Sequence, residues 1–170
     1  NADESEFFGA AVPMNMEGSL DDYLPGVVET DQSWSDPEHF VSWERSILEG
    51  SADGFLNQED IHTDNHAIRH DGFSDFPYNT FKDYRWIEVD GTPMLASRFW
   101  LYEEGSSDDG LITAVAAFQV EFWSPSSGNM DWFIASWSQV DAISSLDYKR
   151  TQLIDGMKEF MTYTQEHALE

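Results

Sequence analysis

Apolar positions along this chain change their spacing near the middle, from a helical stripe to strict alternation. In the first 18 residues Phe7-Phe8 and Ala10-Ala11-Val12 precede Pro13 and Gly18, which reads as an extended N-terminal arm or a first strand. Ser19 followed by Asp22 has the form of a capping box, and Leu20, Tyr23 and Leu24 make a short helical stripe ended by Pro25-Gly26. A second helix is expected over 36–50, with Asp36 as N-cap, Pro37 in the first turn, Phe40, Trp43 and Ile47 on one face and Gly50 as the stop. Residues 51–60 read as loop. From Phe81 onward the period is two. Phe81 to Val89 and Thr92 to Tyr102 flank Asp90-Gly91, a strong signal for a hairpin with a type I′ turn. Leu111 to Trp123 reads as a long strand with Phe118, Val120 and Phe122 on its apolar face and Gln119 and Glu121 on the other. Gly105 to Gly110 forms an acidic turn before it, and Ser124 to Gly128 a turn after it, leading to a strand over 132–140. The C-terminal segment is the clearest helix, running from Leu146 to about His167 with Leu153, Met157, Phe160, Met161 and Thr164 in one stripe.

This order predicts one α+β domain over 19–170, preceded by the arm or strand of 1–18, in which a curved antiparallel β-sheet packs on a long C-terminal helix. In element order it is similar to the helix-grip topology of START and Bet v 1-like domains, which implies an apolar cavity between sheet and helix. The alternative is the cone-shaped sheet of nuclear transport factor-like domains, where the long helices come first.

Composition narrows the function classes. The chain holds 33 acidic and 8 basic residues among 170, a net charge of −25, which excludes direct electrostatic binding to nucleic acid or to an anionic membrane. Twenty-five aromatic residues (7 Trp, 6 Tyr and 12 Phe) argue against disorder. Without cysteine there are no disulfides and no thiolate chemistry. No apolar run is long enough for membrane insertion. The acidic excess, with only three lysines, fits a solvated surface adapted to salty water. A chain that starts Asn1-Ala2-Asp3-Glu4 fits an exported protein after removal of a signal peptide. The expectation is therefore a secreted or periplasmic location, with the cytoplasm of a halophile as the alternative.

Two clusters are candidates for chemistry. The stretch 61–71 contains His62, His66 and His70, and neutral imidazoles beside a carboxylate suit Zn or Fe(II). His62-x-Asp64 also resembles half of the facial triad of 2-oxoglutarate-dependent oxygenases, but no Arg follows His167 to hold the 2-oxoglutarate carboxylate. A metal site at His62, Asp64 and His66 is thus weighed against a solvated polar loop or edge strand, and the second is preferred. The other cluster comes from hairpin register: a two-residue turn at 90–91 places Asp83 opposite Arg98 and Arg85 opposite Ala96. With Trp100, Phe118 and Met157 these three charged groups make a candidate ligand site, an Arg meeting an acidic head and aromatics burying a tail, weighed against a cross-strand ion pair on an exposed face. The function expected is binding of a small apolar or amphiphilic molecule, without a cofactor. The alternatives are an acidic interaction or inhibitor protein mimicking nucleic acid, with a protein partner on its acidic surface, and a metal-dependent enzyme using 62–70.

Overall fold

The structure is a computed structural model that describes residues 7–70, 74–142 and 146–170. Its elements are β1 (Phe7–Met16), α1 (Leu20–Val28), β2 (Phe40–Glu49), α2 (Ala52–Leu56), β3 (Ile61–His70), β4 (Asp75–Val89), β5 (Thr92–Leu101), β6 (Gly105–Ser106), β7 (Ile112–Ser126), β8 (Asn129–Ala142) and α3 (Leu146–Leu169). All eight strands form one antiparallel sheet, ordered β1-β8-β7-β5-β4-β3-β2 with β6 added beside β7. The sheet curls around α3. Phe160 of α3 touches Trp132 on β8, with ring centroids 5.4 Å apart, and Trp43 on β2, 6.3 Å away, although those strands lie near opposite ends of the sheet. This is the helix-grip arrangement, and the cone alternative is set aside because the long helix comes last.

The hairpin has the expected register, Asp83 opposite Arg98 and Arg85 opposite Ala96. Asp90 and Gly91 both have positive φ, 52° and 78°, as a type I′ turn requires. At the start of α1, Asp22 Oδ2 accepts from Ser19 N at 2.7 Å. The helix then continues through Pro25-Gly26 to Val28 instead of stopping there. The C-terminus of α3 is tied back to α1, with His167 Nε2 3.0 Å from Glu29 Oε2 and its ring stacked on Trp34 at 4.0 Å.

The helix expected over 36–50 is a strand, β2. Trp43 and Ile47 are four apart, a spacing that satisfies both a helical stripe and alternation, and the strand also turns Arg45 to the same face. A bulge between Phe40 and Ser42 brings Phe40 to within 4.8 Å of Trp43, which produces the three-residue spacing that looks helical. The expected loop 51–60 contains the short helix α2, where Ser51 Oγ accepts from Gly54 N at 3.0 Å. The histidine stretch is neither a loop nor an edge: β3 lies inside the sheet between β2 and β4.

Candidate functional site: a charged seam under the C-terminal helix

Strand pairing decides which side chains face α3. Register aligns Arg45 of β2 with Asn65 of β3 and Thr80 of β4, and aligns Lys82 of β4 with Phe99 of β5 and Gln119 of β7. These residues share the inner face with Tyr84, Ser97, Glu121, Trp123, Trp132 and Ile134. Opposite them α3 contributes Met157, Phe160, Met161 and Thr164.

Three charged residues are buried on this face: Arg45, Lys82 and Glu121. Lys82 Nζ donates to Glu121 Oε1 at 2.5 Å, Gln119 Nε2 donates to the same oxygen at 2.8 Å, and Trp123 Nε1 donates to Oε2 at 3.1 Å. Burial pushes the Glu121 carboxyl up, but the Lys82 ammonium and the hydrogen bonds from Lys82, Gln119 and Trp123 outweigh it and hold the group below its usual range. Arg45 Nε donates to Asn65 Oδ1 at 2.8 Å and its Nη1 to the Val27 carbonyl. Both cations lie over the Tyr84 ring, Lys82 Nζ at 4.9 Å and the Arg45 guanidinium carbon at 5.5 Å.

Between these groups, α1 and α3 is a cleft with about 20 Å³ of unfilled room, enough for about one water. Arg45, Lys82, Trp34 and Trp132 all line it. The indole N–H groups of Trp34 and Trp132 are buried and have no hydrogen-bond partner among the described residues. A buried donor left unpaired costs roughly 1–3 kcal/mol, so each of these two indoles lacks an acceptor oxygen.

The sequence-expected ligand residues are divided by the sheet. Met157 is inside and buried, whereas Asp83, Arg85, Arg98, Trp100 and Phe118 lie on the outer face. There Asp83 accepts from Arg98 Nε at 2.7 Å and lies 2.5 Å from His62 Nδ1. Burial alone would raise the Asp83 carboxyl, but Arg98 and His62 outweigh it and hold it below the usual range. Arg85 pairs with Asp60 at 2.9 Å, and the Arg98 guanidinium sits 5.0 Å above Trp100.

The candidate metal residues are not brought to one point. His62 is engaged with Asp83, and His66 lies 3.2 Å from Asp64 and 2.6 Å from Asn79. Among the described residues no three His, Asp or Glu side chains converge on a common point.

The groups that reasoning from sequence missed are Arg45, Lys82 and Glu121. Arg45 was hidden by the helical reading of β2. Lys82 and Glu121 carry one signal, which does not by itself tell inside from outside: each lies on a strand beside aromatics of its own parity, Tyr84 and Trp86 for Lys82, Trp123 for Glu121.

No family profile matches the chain, and no curated protein sequence does. Solved structures do match. A STAR-related lipid transfer protein from Xanthomonas axonopodis superposes with a TM-score of 0.65 at 8% identity, covering 95% of this chain and 86% of that one. The Zhui aromatase/cyclase of Streptomyces sp. R1128 gives 0.60 at 8% identity over 96% of this chain and 94% of its own. A START superfamily protein from Mycobacterium smegmatis gives 0.55 at 7%, over 95% and 96%. At such identities the likeness is one of fold, and it assigns this chain the helix-grip architecture seen in START and Bet v 1-like proteins.

Proposed function

We propose that the protein binds a small, largely apolar molecule carrying an acidic or other acceptor-rich head, held between the inner face of the sheet and α3. The observation that carries this reading is the seam itself. Arg45, Lys82, Trp34 and Trp132 line one cleft, the two tryptophans have buried indole N–H groups without a partner, and Tyr84, Trp123 and Phe160 supply apolar walls. The head would meet Lys82, Arg45 and the two indoles, while Arg85 and Arg98 point away from the cleft. The names of two fold neighbours, a lipid transfer protein and an aromatase/cyclase, are consistent with apolar ligands in this architecture. The unfilled room is far below the 300 Å³ or more, roughly, of a typical ligand pocket, so entry requires α3 to lift from the sheet.

The test is a thermal-shift series of fatty acids, their methyl esters and alkylamines on wild type, Trp34→Phe and Trp132→Phe. Each substitution keeps a ring and removes one N–H donor. Acids should raise Tm more than esters or amines in the wild type, and the preference should shrink in both variants. If no compound stabilises the wild type, or if acids, esters and amines act alike, this reading is wrong.

A further inference from the structure

The outer face of the same sheet has an arrangement that ligand binding inside the grip does not use. Strand register sets fifteen outward positions of β1, β8, β7, β5 and β4 into three rows of five. The first row is Gly9, Trp137, Phe118, Trp100 and Phe81, a ridge of four consecutive aromatic rings. Two adjacent pairs in it are in ring contact, with centroids 5.9 Å apart for Phe118–Trp137 and 5.8 Å for Phe81–Trp100. The middle row is Ala11, Ala135 and Val120, a shallow furrow closed at one end by Arg98 and Asp83. The third row is Pro13, Phe133, Phe122, Ala96 and Arg85, and beside it a depression of about 290 Å³ is lined by Pro13, Phe122 and Phe133.

Gly9 is part of the construction. A Cβ there would lie 2.6 Å from Cδ1 of Trp137, so only glycine lets that ring lie down over β1. Phe118, Phe122, Phe133 and Trp137 nevertheless keep 37–42% of their surface exposed.

Charge distinguishes this face from the rest of the molecule. Of the fifteen positions only Arg85, Arg98 and Asp83 are charged, a net of +1 on a chain of net −25. Five strands about 4.8 Å apart and three rows about 6.8 Å apart cover roughly 500 Å², near the upper end for the largest apolar patch of a monomer. Flanking rows, which add Phe7, Tyr102, Met94 and Ile87 together with Gln139, Asn15, Ser124 and Asp131, bring the face to roughly 800 Å², the area each partner buries in a standard stable interface, and Asp131 takes its net charge from +1 to zero.

We propose that this face is the contact between two copies of the chain, stacked sheet on sheet about a two-fold axis. An axis lying along the rows, between the first and the middle one, sets each copy's aromatic ridge into the other's furrow. Trp137 and Phe118 then lie over Ala135 and Val120, and Trp100 lies over Arg98 of the second copy. The strands of the two sheets run antiparallel and aligned, the common geometry for packed sheets. It is also where two polyanions approach with least repulsion, because neither presents net negative charge there.

The test is sedimentation velocity over a concentration series at low salt and at about 1 M NaCl, where screening acts within roughly 3 Å. The wild type should form a dimer whose dissociation constant falls at least about tenfold at high salt, as whole-molecule repulsion is screened. Phe118→Asp and Phe133→Asp place a carboxylate on the ridge and in the third row. Each should weaken the dimer at least about tenfold while leaving Tm of the monomer within a few degrees, and either suffices if the other fails to fold. His66→Asp, outward on β3 beyond the fifteen positions, should leave association unchanged. A wild type that stays monomeric at high concentration and high salt overturns the proposal. So does a dimer equally strong in both Asp variants, which would place the contact elsewhere.

Discussion

On the inner face of the sheet Arg45, Lys82 and Glu121 are 0–4% exposed, whereas on the outer face Phe118, Phe122, Phe133 and Trp137 keep 37–42% of their surface in water. The two sets meet on β7, where Glu121 points in and its neighbours Val120 and Phe122 point out. The contrast separates what the fold tolerates from what it is selected to present. A buried ion pair contributes little net stability against a well-packed apolar alternative, which agrees with the ligand head proposed for the inside of the grip. An exposed aromatic face likewise gains nothing for the isolated monomer and points to a task outside it.

Breaking the inner network should have the largest effect. Glu121→Ala strands the Lys82 ammonium in the interior and should cost about 3–5 kcal/mol in urea denaturation. The double variant Lys82→Met/Glu121→Leu should recover most of that loss, and failure to recover would mean that Gln119 and Trp123 depend on the carboxylate more than on the pair. Arg45→Met leaves Asn65 Oδ1 and the Val27 carbonyl without their donor and should cost about 2–3 kcal/mol. On the outer face, Phe122→Ser should cost about 1 kcal/mol or less, because that ring is already partly hydrated. Equal losses on the two faces would erase the comparison.

Acid sharpens it from another side. Asp83 and Glu121 are both held below their unfolded values, so the stability they contribute is complete above the unfolded carboxylate range of about 4 and is lost as pH falls through their folded values. Thermal melts should be flat from neutral pH to about 5 and should fall steeply below about 4, with a shallower fall in Asp83→Asn. The smallest effect expected is that of salt on the monomer. Tm of Phe118→Asp, kept monomeric, should rise by a few degrees between low and molar NaCl as the net −25 charge is screened. A flat or falling curve would count against a surface adapted to salt.

Much of the fold was legible in the sequence. The hairpin at Asp90-Gly91 fixed its own register, because a two-residue turn leaves no freedom in which residues pair. The long C-terminal stripe identified α3. What misled was the rule that the more apolar face of a strand lies inside. In β4, β5 and β7 both parities carry aromatics, so Phe81, Trp100 and Phe118 look as much like cavity wall as Tyr84, Leu95 and Trp123 do. Charges among aromatics do not separate the parities either, since Lys82 with Tyr84 and Trp86 and Glu121 with Trp123 lie inside while Asp83, Arg85 and Arg98 with Phe81 and Trp100 lie outside. Lys82 and Glu121 lie 39 residues apart, a relation that no local pattern carries. Arg45 was lost for a different reason, since a β-bulge imitated helical spacing in β2.

The place of β1 bears on the making of the chain as well as on its shape. Phe7–Met16 pairs with β8 alone, from Phe7 opposite Gln139 to Met16 opposite Met130. A ribosome emits this strand more than a hundred residues before its partner. At about 5–20 residues per second the segment waits on the order of 6–25 s with no strand beside it. It carries no charge to keep other nascent chains away. Pro13 and Gly9 are its only interruptions, one lacking an N–H and the other lacking a side chain, and both weaken unwanted strand pairing. The same two residues that shape the outer face of the finished protein therefore guard the chain while it is being made.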